Sequence, residues 1–78
     1  MLRQRLVKSP PVAEHLTARE RDVLRLIASG KTSKEIASHL GISFKTVVSH
    51  RSQIQTKLDA GNVADLTRAA IRMGLIEA

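Results

Sequence analysis

Cysteine, tryptophan and tyrosine are absent from this sequence, and a single phenylalanine, Phe44, is its whole aromatic content. Without cysteine there is no disulfide and no thiolate metal site, and a reducing, cytoplasmic compartment is the simpler expectation. With one aromatic ring there is no platform on which unpaired bases could stack, which argues against RNA as a ligand. No apolar run approaches the roughly 20 residues that a membrane span requires. Arg3 and Arg5 are followed by no apolar block of the kind a signal peptide carries. The basic residues are spread over several segments instead of flanking one apolar face, so a membrane-surface helix is not expected either. Proline occurs only as the pair Pro10-Pro11, so helix breaking is confined to the N-terminal stretch. Residues 1–15 read as a flexible tail or interdomain linker.

What is present is a chain of 78 residues, 42% of them hydrophobic, which supports one small domain. Its core must come from Leu, Ile, Val and Ala, and no segment alternates as a strand would. The expected fold class is all-α. The formal net charge is +6, and its placement is more telling than its size. Residues 31–58 carry Lys31, Lys34, Lys45, Arg51 and Lys57 against Glu35 alone, while residues 59–78 are net acidic. A basic segment of this kind implies a polyanionic partner.

Local signals divide residues 16–76 into four helices. Thr17 and Glu20 form a T-x-x-E capping box, followed by Val23, Leu24, Ile27 and Ala28 at helical spacing and by Gly30 as a terminator. Thr32 and Glu35 repeat the box, with Ile36, Ala37 and Leu40 as the inward stripe. Gly41 is placed where a left-handed residue is needed to turn sharply into the next helix, with Ile42 directed to the core. Ser43 caps a third helix whose inward face is Val47, Ile54 and Leu58, with His50 and Arg51 at its margins. Its outward face is Lys45, Val48, Ser49, Ser52 and Thr56. Asn62, with Asp65 three positions on, starts a fourth helix. There, Leu66, Ala70 and Met73 face the domain, Ala64, Thr67 and Ile71 make a second stripe, and Gly74 is the stop. Two short helices joined at Gly41, the second with a polar outer face, form a helix-turn-helix whose second helix suits the DNA major groove.

The blocks LTARERDVLRLIASGKTSKEIA, LGIS, TVVSHRSQIQTKL and NVADLTRAAIRMGLI, in this order and spacing, resemble the DNA-binding domain of LuxR-type transcription regulators of the NarL/FixJ response-regulator branch. The resemblance covers residues 16–76. It implies a four-helix bundle with a central helix-turn-helix and promoter binding as a homodimer, with much of the dimer contact made by the fourth helix. It also implies, in longer relatives, a phosphorylatable receiver domain ahead of this one. The segment before Thr17 is too short to hold a receiver, so no phosphoacceptor is assigned. The sequence departs from the family pattern at Val48, where Lys is frequent, and at Ser52, which is sometimes basic. Asp59-Ala60 stands where the family usually has Gly-Val, which bears on the bend into the fourth helix.

Chemistry assigns roles along this segment. Thr32, Ser33 and Lys34, at a helix N-terminus with free N–H groups, suit a phosphate, and Thr46, Arg51 and Lys57 are the third-helix phosphate candidates. Base contacts are expected from Lys45 to guanine, Val48 to a thymine methyl, and Ser49 and Ser52 to either edge. With no Arg among them, DNA shape and dimer spacing should supply part of the specificity. Ala64, Thr67, Arg68 and Ile71 form a candidate two-fold seam, expected to be weak without DNA; the competing reading is that they only complete a monomer core. RNA polymerase is a further candidate partner. His15, His39 and His50 lack metal-ligand spacing, and no nucleophile–base pair or Gly-rich phosphate cradle is present, so no metal, cofactor or catalytic activity is expected. Two other functions fit the same fold: a protein-interaction module, and a sigma-factor-like promoter-recognition domain, which shares the L-T-x-R-E opening.

Overall fold

The computed structural model describes residues 16–77. The tail or linker expected at residues 1–15 lies outside the described residues. Within them are four helices and no strand: α1 (Ala18–Ala28), α2 (Ser33–Leu40), α3 (Phe44–Leu58) and α4 (Val63–Arg72).

Each helix begins where its sequence supplies an acceptor for the orphan N–H groups of the first turn. Thr17 Oγ1 accepts from Glu20 N–H at 3.0 Å while Glu20 Oε1 accepts from Thr17 N–H at 2.9 Å, closing the first capping box. The second box closes the same way between Thr32 and Glu35, at 3.1 and 2.8 Å. Ser43 Oγ accepts from Thr46 N–H and Asn62 Oδ1 from Asp65 N–H, starting α3 and α4. Caps of this kind stabilise a helix by about 1 kcal/mol each, which matters in a domain this small.

α2 and α3 are capped at their C-termini by left-handed residues. Gly41 has φ 69° and donates its N–H to Ala37 O. A Cβ at Gly41 would meet nothing within 4 Å. The requirement for glycine at this turn is therefore conformational and not one of space. At the end of α3 the same conformation falls on Asp59, with φ 52°. The chain therefore turns out of α3 on a non-glycine residue held in αL, at the position where the sequence departs from the family's usual glycine.

α1 is the central element, packing on α2, α3 and α4, while α2 and α3 also pack on each other. Val23 and Leu24 of α1, Ile36 of α2, Val47 and Ile54 of α3, and Leu66 and Ala70 of α4 are fully buried together. Leu40, Ile42, Leu58 and Met73 pack at the edge of this core. Leu16, Ala60 and Ala69, unassigned from the sequence, are also buried.

Candidate nucleic-acid interface

α3 is held by one face and free on the other. Val47 and Ile54, seven residues apart, are sealed in the core, which fixes the rotation of the helix about its axis. That rotation turns Lys45, Val48, Ser49, Ser52 and Thr56 outward, and all five are exposed. The four base-contact candidates therefore share one solvent-facing strip. None of them has a side-chain hydrogen bond or ion pair within the described residues, so their polar groups are available to a ligand.

Two side-chain bonds tie α3 to its neighbours. Arg51 Nη1 donates to Ser33 Oγ at 3.3 Å, across 18 residues of sequence. This joins two phosphate candidates, one from the start of α2 and one from the middle of α3. The second bond is from Lys57 Nζ to Glu20 Oε1 at 2.7 Å. The Glu20 side chain is 2% exposed and the Lys57 side chain 36%. Glu20 is the one charged residue buried among the described residues. Its Oε1 thus serves twice, accepting from Thr17 N–H as a cap and from Lys57 as an ion-pair partner.

Burial by itself pushes the Glu20 carboxyl up, the largest single influence. The Lys57 hydrogen bond, the Thr17 N–H and the charges of Lys57 and His50 together outweigh it, and the carboxyl is held below its ordinary value. Glu35 is also held below its ordinary value, chiefly by the hydrogen bond from Thr32 N–H and then by the Thr32 side chain.

The phosphate candidates other than Arg51 and Lys57 fall into two groups. Thr32, Ser33 and Lys34 stand at the N-terminus of α2, and Lys34 is exposed with no ion pair among the described residues. Thr46 is exposed beside Ser43, their hydroxyl oxygens 2.8 Å apart. Lys57 differs from the others, because its ammonium already has an internal carboxylate partner. The expected seam on α4 divides by exposure. Ala64 and Arg68 are exposed, and Thr67 and Ile71 are half-buried. Arg68 pairs with Asp65 on the same helix. Val63, 45% exposed, adds an apolar group to that helix which the sequence reading did not single out.

Phe44 likewise has no role assigned from the sequence. It opens α3 and is 53% exposed. Its position directly after the Ser43 cap was the available signal. A first-turn residue beside a turn is free to face solvent whatever its hydropathy.

A turn bounded by two capped helices, with the second presenting an unpaired polar strip beside exposed lysines, defines the helix-turn-helix class of DNA-binding domain. Residues 14–70 match the family model "Bacterial regulatory proteins, luxR family", and the chain belongs to this family of transcription regulators. It is 52% identical over 60 residues to the "Uncharacterized response regulatory protein YgeK" of Escherichia coli K12, covering 77% of this chain and 41% of that protein. It is 52% identical over 58 residues to the transcriptional regulatory protein LiaR of Bacillus subtilis, covering 74% and 26%. It is 44% identical over 70 residues to the response regulator protein VraR of Staphylococcus aureus, covering 90% and 32%. The chain thus spans between about a quarter and two fifths of the length of these relatives. No helix among the described residues is long and apolar enough to cross a membrane.

Proposed function

We propose that this chain is the DNA-binding output domain of a two-component response regulator, acting in the cytoplasm on double-stranded promoter DNA. The relatives named as response regulators support the output role. The observation that carries the site assignment is the free strip Lys45–Val48–Ser49–Ser52 on a helix whose other face is locked in the core. In this reading the N-terminal half of α3 lies in the major groove. Lys45 donates to guanine, Val48 packs on a thymine methyl, and Ser49 and Ser52 bond to base edges.

Phosphates on one strand are taken by the N–H groups at the start of α2, by Thr32 and Ser33, and by Lys34. Thr46 and Arg51 take those beside α3. The bond from Arg51 to Ser33 supports this division, because it holds a guanidinium at the seam of the two helices. Lys57 contributes through N–H groups that Glu20 does not use, and so contributes less than Lys34. A homodimer through Ala64, Thr67, Arg68 and Ile71 would set half-site spacing, with Arg68 exchanging Asp65 for a partner across the seam. RNA polymerase would be met on the side away from DNA.

The test is a mobility shift on random duplexes across a salt series, followed by recovery and sequencing of bound sites. Binding should fall steeply as salt rises, and the recovered sites should contain a two-fold repeat. Undetectable binding at low salt would leave the protein-interaction module as the function of this fold.

A further inference from the structure

Among the described residues, three large hydrophobic side chains are exposed, and two of them, Phe44 at 53% and Val48 at 44%, lie one helical turn apart on α3. Residues four apart on a helix are surface neighbours, and helical side chains lean toward the N-terminus, so Val48 leans over Phe44. Together they make a continuous apolar strip at the leading end of the helix. The strip is flanked by Lys45, which is exposed and without an ion pair among the described residues.

The chain's single aromatic ring is thus spent on the surface, next to a cation, while its core is aliphatic. An apolar strip bordered by a cation fits a ligand that is itself apolar in small spots on a polyanionic frame. In the major groove that description belongs to the thymine C5 methyl.

We propose that Phe44 is a specificity-determining residue, forming with Val48 an apolar strip that packs on the C5 methyl groups of thymines in the half-site. This deepens the DNA-binding reading above and rests on it. It also explains how a reading strip without Arg attains preference. Lys45 selects a guanine, and the Phe44–Val48 strip selects neighbouring thymines by covering methyl groups that cytosine lacks. Ser49 and Ser52, being short, let the helix sit deep enough for those methyls to reach the strip.

The experiment uses the whole chain and a duplex recovered by selection. Each thymidine is replaced in turn by deoxyuridine, which deletes the methyl and leaves the hydrogen-bonding edge unchanged. At one or two positions per half-site the parent should bind on the order of fourfold more weakly for each methyl lost. Phe44→Ala should bind the thymidine duplex more weakly and show a reduced penalty for the same replacements, Val48 alone remaining against the methyl, while Phe44→Leu should retain the full penalty. Helical circular dichroism unchanged in Phe44→Ala would show that the fold is intact. If the parent binds the fully deoxyuridine-substituted duplex as tightly as the thymidine duplex, the inference is overturned. It is equally overturned if Phe44→Ala keeps the full penalty, or keeps the parent's affinity, as a protein-docking role for Phe44 would require. These failures leave salt-dependent duplex binding in place. Failure of the DNA-binding reading itself would instead appear as no binding to any duplex.

Discussion

Replacing Lys57 by methionine removes one ammonium group while keeping an unbranched side chain of similar length, and so isolates the Glu20–Lys57 pair. In the parent, Glu20 Oε1 accepts from Lys57 at 2.7 Å and from Thr17 N–H at 2.9 Å. In the variant only the second of these remains, with the side chain 2% exposed. Stranding one member of a buried pair costs about 3–5 kcal/mol when both ends are dry. The Lys57 side chain is 36% exposed, so water reaches that end and screens the loss. The cost then falls toward that of a buried acceptor losing one bond, about 2 kcal/mol. Against a total of roughly 5 kcal/mol for so small a domain, Tm should drop by on the order of 8–16 °C at pH 7.

The pH dependence gives a second, independent signature. The Glu20 carboxyl is held low in the folded parent. It therefore contributes stability above the ordinary carboxylate range, and this is lost as pH falls through the folded value. Without Lys57, burial is opposed only by the Thr17 N–H and the His50 charge, so the carboxyl rises. The gap in Tm between parent and variant should narrow as pH is lowered from 7 toward 3. Thermal unfolding followed by circular dichroism at several pH values measures both. Equal Tm at pH 7, or a gap that stays constant down to pH 3, would refute the argument. The double variant Glu20→Gln/Lys57→Met should recover part of the loss, since glutamine can still close the capping box.

Three further outcomes follow from the geometry. Asp59→Gly should stabilise the domain by about 0.5–1 kcal/mol in urea unfolding, because Asp59 holds φ 52° at the end of α3 where its negative charge also opposes the helix dipole. Ile36→Ala should destabilise by about 2–4 kcal/mol in the same assay, since Ile36 is fully buried and is the one buried residue of α2. Lys34→Ala should weaken binding to all duplexes alike and lower the salt slope by about one, whereas Lys57→Met should lower it by less. An unchanged slope for Lys34→Ala would remove Lys34 from the phosphate contacts.

Much of the fold was legible because its signals are local. The two T-x-x-E boxes, Ser43 and Asn62 each act within three residues of themselves, and each starts a helix where expected. The outward strip of α3 followed from the 3.6-residue period once Val47 and Ile54 were placed inward. The Glu20–Lys57 pair was not legible, because 37 residues separate its members and only the packing of α1 against α3 brings them together. Glu20 could be read as a cap, but nothing local says that the capping oxygen is buried. The bond from Arg51 to Ser33 was hidden for the same reason, although both residues had been singled out. Phe44 was missed because hydropathy suggests a core residue, whereas its place in the first turn leaves it facing solvent. Ala69 was missed because a small side chain at the edge of a stripe weighs little in a periodicity.

The outward strip of α3 also bears on how such domains diversify. Lys45, Val48, Ser49 and Ser52 are exposed and bonded to nothing else among the described residues, so exchanging them should shift stability by no more than about 0.5 kcal/mol. Helix position is set by Val47 and Ile54 underneath, and by Arg51 and Lys57 at two points along its length. If the proposed base contacts are made by these four residues, duplicate copies of such a gene could drift to new promoters through their codons without crossing an unfolded intermediate. The address of the regulator is then free to evolve separately from the integrity of its scaffold.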